Sequence, residues 1–251
     1  MTAQPPLLYG IPFSQPVRAV MWLLLYKRMP FRMVPISPGS KSDGGSRSPA
    51  YLEKNPGGTI PTLEEPDTGL VLGEAHAILC YLSNRHGWDD VYPADPGQRA
   101  RVDWYLHYHH RNVREASVGL VAPKIRKDLN IPEVIQQAAR SGFARALRAL
   151  DTGWLAGSSW LAGDRLSLAD FAAYVEIGQL QPEFTNLFDF EPYPNVRRWL
   201  ARMKQVDAHD DAHAVLAALG DISAEAPSME AIKDANVRGL AVVKQRVAGF
   251  A

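Results

Sequence analysis

The sequence predicts an α+β protein in two parts, a mixed strand-and-helix half followed by an all-helical half. Three observations lead there. The first 86 residues alternate short apolar runs with helical spacing, a stretch with two prolines and three acids (Gly87 to Pro96) interrupts the chain, and everything beyond it reads as helix. At 251 residues the chain can bury two sizeable cores.

Each element has a local cause. Leu7-Leu8-Tyr9 is an apolar run ended by Gly10 and Pro12, the pattern of a buried strand running into a loop. Ser14 then stands before Pro16 and the apolar segment Val17 to Tyr26, a helix-start signal with an N-cap and a first-turn proline. Phe31 to Ile36 is a second strand, placed at a sheet edge because Pro35 cannot donate to a ladder. Ser37 to Ser48, rich in Ser, Gly and Lys, reads as a flexible loop. Thr62-Leu63-Glu64 and Leu70-Val71-Leu72 flank Pro66-Asp67-Thr68-Gly69, an antiparallel hairpin. Helical spacing resumes after Gly73. Past the linker, helices are expected at about 97–120, 132–155, 167–180, 194–205 and 208–219, each within roughly 3 residues. Ser167 to Asp170 opens one of them as a capping-box variant, and an amphipathic segment from Met229 to Val247 follows Pro227. A βαβ half followed by a hairpin and helix predicts a thioredoxin-like domain over 1–87. An all-helical domain follows over 97–222, with a helical extension over 223–251.

Composition narrows the function. Formal net charge is zero, with 46% hydrophobic and 22% charged residues, so nothing favours nucleic acid or an acidic membrane as partner. The longest apolar run, Val20 to Tyr26, is too short to span a bilayer. The first residues lack the basic and apolar regions of a secretory signal. A single cysteine, Cys80, excludes an intrachain disulfide and fits a reducing, cytoplasmic setting.

Taken alone, the candidate chemistry is open. Ser14 reads as a helix cap or as a hydroxyl that donates to a thiolate at a helix N-terminus. A proline before a strand, Pro61, is trans by default; if cis, it exposes the preceding backbone to an extended peptide. Glu74 is either an acid beside a helix dipole or the holder of an amine. His209 and His213 have zinc-helix spacing, but Asp210 replaces the catalytic Glu and no third ligand is evident. A solvated polar face is expected there, and no metal.

The order of these features is more specific than any one of them. Ser14-Gln15-Pro16-Val17-Arg18-Ala19-Val20, Asn55-Pro56 through Ile60-Pro61-Thr62-Leu63, Glu74 through Leu82, Tyr92 to Asp95, and Ser167 to Asp170 together resemble the theta-like, serine-type glutathione transferases. That resemblance implies a cytosolic homodimer joining glutathione to small hydrophobic electrophiles, or reducing organic hydroperoxides with the same thiol. It implies that Ser14 hydrogen-bonds the glutathione thiolate, with Pro61 cis. Lys41, Thr59, Ile60, Pro61, Glu74 and Ala75 are implied around the tripeptide. Arg114 and Tyr108 fall at the electrophile pocket. Tyr9, near the place of the phenol in tyrosine-dependent classes, is the weaker candidate.

Two departures stand out. Ala75 replaces the family's usual Ser, removing a hydroxyl contact to the γ-glutamyl carboxylate, and Thr59 replaces a frequent Lys. They sustain the alternative of a non-catalytic, transferase-like binding or scaffolding module. The extension after about Asp221 either caps the pocket or packs on the bundle.

Overall fold

The computed structural model describes residues 4–250. They form two compact units that interleave along the chain. The first holds residues up to Leu82, Asp207–Ala218 and everything from Asp234; the second holds Ser83–Val206 and Leu219–Lys233.

The first unit is built on a four-stranded sheet, with β1 (Leu7–Tyr9), β2 (Arg32–Val34), β3 (Thr62–Glu65) and β4 (Leu70–Gly73) in the order β2-β1-β3-β4. β1 and β2 are parallel, and β3 runs antiparallel to both β1 and β4. β2 is an edge strand, as Pro35 implied, and β3–β4 is the expected hairpin. Helix α1 (Gln15–Tyr26) crosses from β1 to β2, burying Val17 and Ala19 through Leu25. A Cβ on Gly10 would stand 2.5 Å from a methyl of Val17, so only glycine lets the helix return this soon. Helix α2 (Pro49–Lys54) was not foreseen. Its signal is nonetheless local: Pro49 starts the helix and the Ser48 hydroxyl accepts from the Tyr51 N–H at 3.4 Å. The loop before it is folded on itself rather than loose. Ser37 N–H donates to Gly44 O at 2.8 Å, and Gly39 N–H to the Ser46 hydroxyl at 2.9 Å. Helix α3 (Ala75–His86) follows β4.

The second unit is helical: α4 (Pro96–His109), α5 (Ala122–Ile125), α6 (Glu133–Ala149), α7 (Leu168–Ile177) and α8 (Pro194–Met203). Every residue of α7 is buried, which makes it the unit's axis. The expected helix over 97–120 stops at His109, where the Asn112 amide donates to Tyr108 O at 2.7 Å. Ser117–Val121 continues as π-helix. There a Cβ on Gly119 would meet the Arg140 backbone at 2.7 Å, so the close approach of α6 sets the local winding. The Gly87–Pro96 stretch is packed and not a loose tether: Val91 and Tyr92 are buried, and Val91 O accepts from Leu168 N–H at 3.0 Å.

Helices α9 (His209–Leu219) and α10 (Met229–Ala248) carry the chain back to the first unit. Trp22 of α1 packs on α9 and donates its indole N–H to Asp207 O at 2.9 Å. Arg246 of α10 holds the Asp207 carboxylate through bonds of 2.9 and 3.0 Å, and Gly239 backs onto Val215. His209 and His213 are thus not a solvated face: both are buried, stacked on each other against Trp22.

Candidate active site

Strand register decides which loops meet. Tyr9 pairs with Val34 on one side and Thr62 on the other, and Thr62 pairs with Gly73. The ends of β1, β2 and β4 and the start of β3 therefore share one end of the sheet. Ser14, the Lys41 loop, Thr59–Pro61 and Glu74–Ala75 all open there. With neighbouring strands ~4.8 Å apart, β1 and β4 stand roughly 10 Å from each other, about the reach of three extended residues.

Ser14 occupies the N-cap position of α1, with φ −69° and ψ 123°, and its hydroxyl makes no capping hydrogen bond. Only its backbone starts the helix, Ser14 O accepting from Arg18 N–H at 2.9 Å. The two local readings of this serine thus separate: the main chain starts the helix, and the side chain makes no capping bond. The first turn of α1 carries no acidic residue, so its dipole is uncompensated and favours an anion beside Ser14.

Before β3, the Ile60–Pro61 bond is cis. Tyr51 and Asn55 hold this turn from behind. The Tyr51 phenol donates to Thr59 O at 2.7 Å and lies 2.8 Å from the Thr62 hydroxyl; the Asn55 amide donates to the same two oxygens at 3.0 Å each. Neither side chain was singled out from sequence for this, since their partners become visible only once α2 is seen against β3. Among the described residues, the Ile60 N–H and C=O have no partner, which leaves them available to an extended ligand.

Glu74 has φ +62°, a left-handed backbone that costs a non-glycine residue about 1–3 kcal/mol. Its carbonyl accepts from Ile78 N–H at 2.9 Å and so starts α3, while its exposed carboxylate has no protein partner among the described residues. Ala75, buried at the first position of α3, offers main-chain N–H groups and no hydroxyl. Lys41 is exposed on the 37–48 loop, and Thr59 is exposed beside Ile60.

Tyr9 is committed elsewhere. Its phenol donates to Glu64 Oε2 at 2.6 Å, the oxygen that also receives Lys54 Nζ at 2.6 Å. Burial first, then Glu64, raise the Tyr9 pKa. In the second unit, Arg114 is ion-paired with the buried Glu176, whose other oxygen receives the Ser117 hydroxyl at 2.9 Å. Tyr108 is half-buried against Trp154, with ring centroids 5.9 Å apart, and burial raises its pKa. Trp104 is 63% exposed, with its ring centroid 4.3 Å from that of Trp154.

Arg18, within the Ser14–Val20 motif, is a further residue that shapes the loop before Ser14. It is fully buried and donates Nη1 to Phe13 O at 2.6 Å and Pro12 O at 3.2 Å. Its signal was a guanidinium inside an apolar helix, a cost that only directed bonding offsets.

Comparison with known proteins agrees with this geometry. Residues 8–96 match the glutathione S-transferase N-terminal domain and residues 132–202 the C-terminal domain of that family. Glutathione S-transferase D7 of Anopheles gambiae is 34% identical over 204 residues, 79% of this chain and 86% of that protein. Human glutathione S-transferase theta-2B is 29% identical over 231 residues, covering 87% and 91%. The crystal structure of human glutathione transferase theta-2, complexed with glutathione and an unknown ligand, superposes with a TM-score of 0.71. It is 26% identical, covering 98% of this chain and all (100%) of that one. Nothing in these relatives favours the non-catalytic alternative. The chain belongs to the glutathione S-transferase family and is a theta-like glutathione transferase.

Proposed function

We propose that Ser14 is the thiol-activating residue, and that the tripeptide lies across the sheet end from β1 to β4. The observation that carries this is the serine hydroxyl with no capping bond, at the N-terminus of α1, on the same sheet end as Ile60 and Glu74. Ile60 pairs by its main chain with the cysteinyl residue. Glu74 takes the γ-glutamyl ammonium, and the N–H groups at Ala75 take its carboxylate. Thr59 lies beside the glycyl end, and Lys41 reaches the glycyl carboxylate. Ser14 donates its O–H to the sulfur, stabilising thiolate over thiol and lowering a pKa that is ~8.5 for a free thiol.

The thiolate then attacks an electrophilic carbon. A C–S bond forms, and the leaving group departs with its bonding pair. With an organic hydroperoxide, two glutathiones supply two electrons and two protons, giving an alcohol, water and glutathione disulfide. Arg114 and Tyr108 attend the electrophile, Arg114 with its charge partly met by Glu176. The enzyme acts as a homodimer on small hydrophobic electrophiles in the cytoplasm; the single cysteine supports a reducing setting.

A panel of electrophiles and hydroperoxides tests this on wild type and Ser14→Ala. Removing the donor is expected to lower kcat/KM by about 10²-fold or more and to move ionisation of the bound thiol to higher pH. Equal activity in the two proteins rules Ser14 out.

A further inference from the structure

The main-chain N–H of Phe13 donates to Oδ1 of Asn236 at 3.0 Å, with both residues buried. Phe13 immediately precedes Ser14, whereas Asn236 lies on the last helix, α10. Two other amides of this loop close on main-chain carbonyls, Gly10 N–H on Val34 O at 3.0 Å and Ser14 N–H on Ile11 O at 3.1 Å. Phe13 alone among these depends on a side chain from the far end of the chain. Gly239, one turn further along α10, lets the helix approach: a Cβ there would stand 3.3 Å from the Pro12 Cβ. From the other direction, Arg18 takes the carbonyls of Pro12 and Phe13. Phe13 is therefore gripped on both its donor and its acceptor side, and Pro12 on its acceptor side. A buried amide that loses its acceptor is costly, so the loop keeps this path only while α10 is seated.

We propose that Asn236 is a positioning residue for Ser14: by holding the Phe13 amide it fixes the loop that aims the serine hydroxyl. The proposal rests on Ser14 being the thiolate donor. No side-chain capping bond holds that hydroxyl, so its direction follows the Phe13–Ser14 main chain. Hydrogen-bond strength falls steeply with distance and angle, and a small shift of the loop weakens the bond to sulfur.

The test is a two-by-two set: wild type, Ser14→Ala, Asn236→Leu and the double variant. Each is read by kcat, by KM for glutathione and by the pH at which the bound thiol ionises, followed by thiolate absorbance. Asn236→Leu is expected to lower kcat at neutral pH roughly three- to tenfold and to move thiol ionisation upward. In the Ser14→Ala background the same change is expected to add nothing to the ionisation shift. If Ser14→Ala moves the ionisation and Asn236→Leu does not, the positioning role is overturned while Ser14 keeps its own. If Ser14→Ala itself leaves ionisation unchanged, the parent reading fails first. Additive shifts in the double variant also overturn the proposal. Should Asn236→Leu fail to fold, Asn236→Ala carries the same comparison. Amide exchange at Phe13 in the wild type gives a separate reading: slow exchange upholds the tether, and exchange as fast as at an exposed loop amide refutes it.

Discussion

Trp22 and His213 meet edge to face, ring centroids 4.9 Å apart and planes at 90°, inside the first unit. His213 is 1% exposed, its Nδ1 lies 2.7 Å from His209 O, and Arg18, His209 and the exposed Asp210 are the charged or titratable groups around the pair. Burial, then the Arg18 charge and His209, hold its pKa well below 6.5. Below that pH the unfolded chain binds a proton that the folded chain refuses, so stability falls as pH falls through 6.5. The slope is at most about 1.4 kcal/mol per pH unit. His213→Phe keeps a ring against Trp22 and removes the titration. Between pH 7 and pH 5 the wild type is expected to lose stability relative to the variant, so that the difference between their denaturation midpoints shifts in the variant's favour. Burial raises the Asp170 carboxyl to about 6, which acts in the opposite sense and equally in both proteins. Parallel curves would dismiss the idea.

Tyr9 is a structural phenol. Tyr9→Phe breaks the 2.6 Å bond to Glu64 but leaves Lys54 on that carboxylate. The variant is expected to lose about 1 kcal/mol of stability and to keep kcat/KM within roughly threefold. A drop as deep as that of Ser14→Ala would make Tyr9 the thiol's partner instead.

Ala75 offers main-chain N–H groups and no hydroxyl at the start of α3. Ala75→Ser restores a donor at the first position of α3, where the γ-glutamyl carboxylate is proposed to bind. Titration calorimetry is expected to show glutathione binding about tenfold tighter or more. An unchanged Kd would move that carboxylate away from α3.

Asp170 joins three parts of the second unit. Its carboxylate receives Leu161 N–H, Ser167 N–H, the Ser167 hydroxyl and the Trp199 indole, each at 2.9 Å. Asp170→Ala leaves those buried donors without their acceptor and is expected to cost about 3–5 kcal/mol in chemical denaturation. A loss under 1 kcal/mol would mean that water or a neighbour replaces the carboxylate.

What the sequence revealed follows from the range of the forces involved. Strand β1, the hairpin and the start of α1 were legible because periodicity, Gly10, Pro16 and Pro66 act within a few residues. Pro61 was legible as cis only through its place in an ordered motif. Helix α4 was overrun because the helical period does not register that Gly119 presses on α6. His209 and His213 looked solvated because their partner, Trp22, is far back in the chain. Tyr51 and Asn236 were silent for the same reason: each has its meaning in a main-chain group brought close only by folding.

The first unit is closed by α9 and α10, which follow Ser83–Val206 of the second unit in the chain. During synthesis the sheet, the serine loop and α1 emerge early, yet α9, which packs on Trp22, and α10, which accepts the Phe13 amide, emerge only after Ser83–Val206 of the second unit. A nascent chain therefore carries its first unit unfinished, with the flank of α1 open, until α10 has emerged. Order of birth and order of completion are reversed, and synthesis through α10 becomes a condition for a finished first unit.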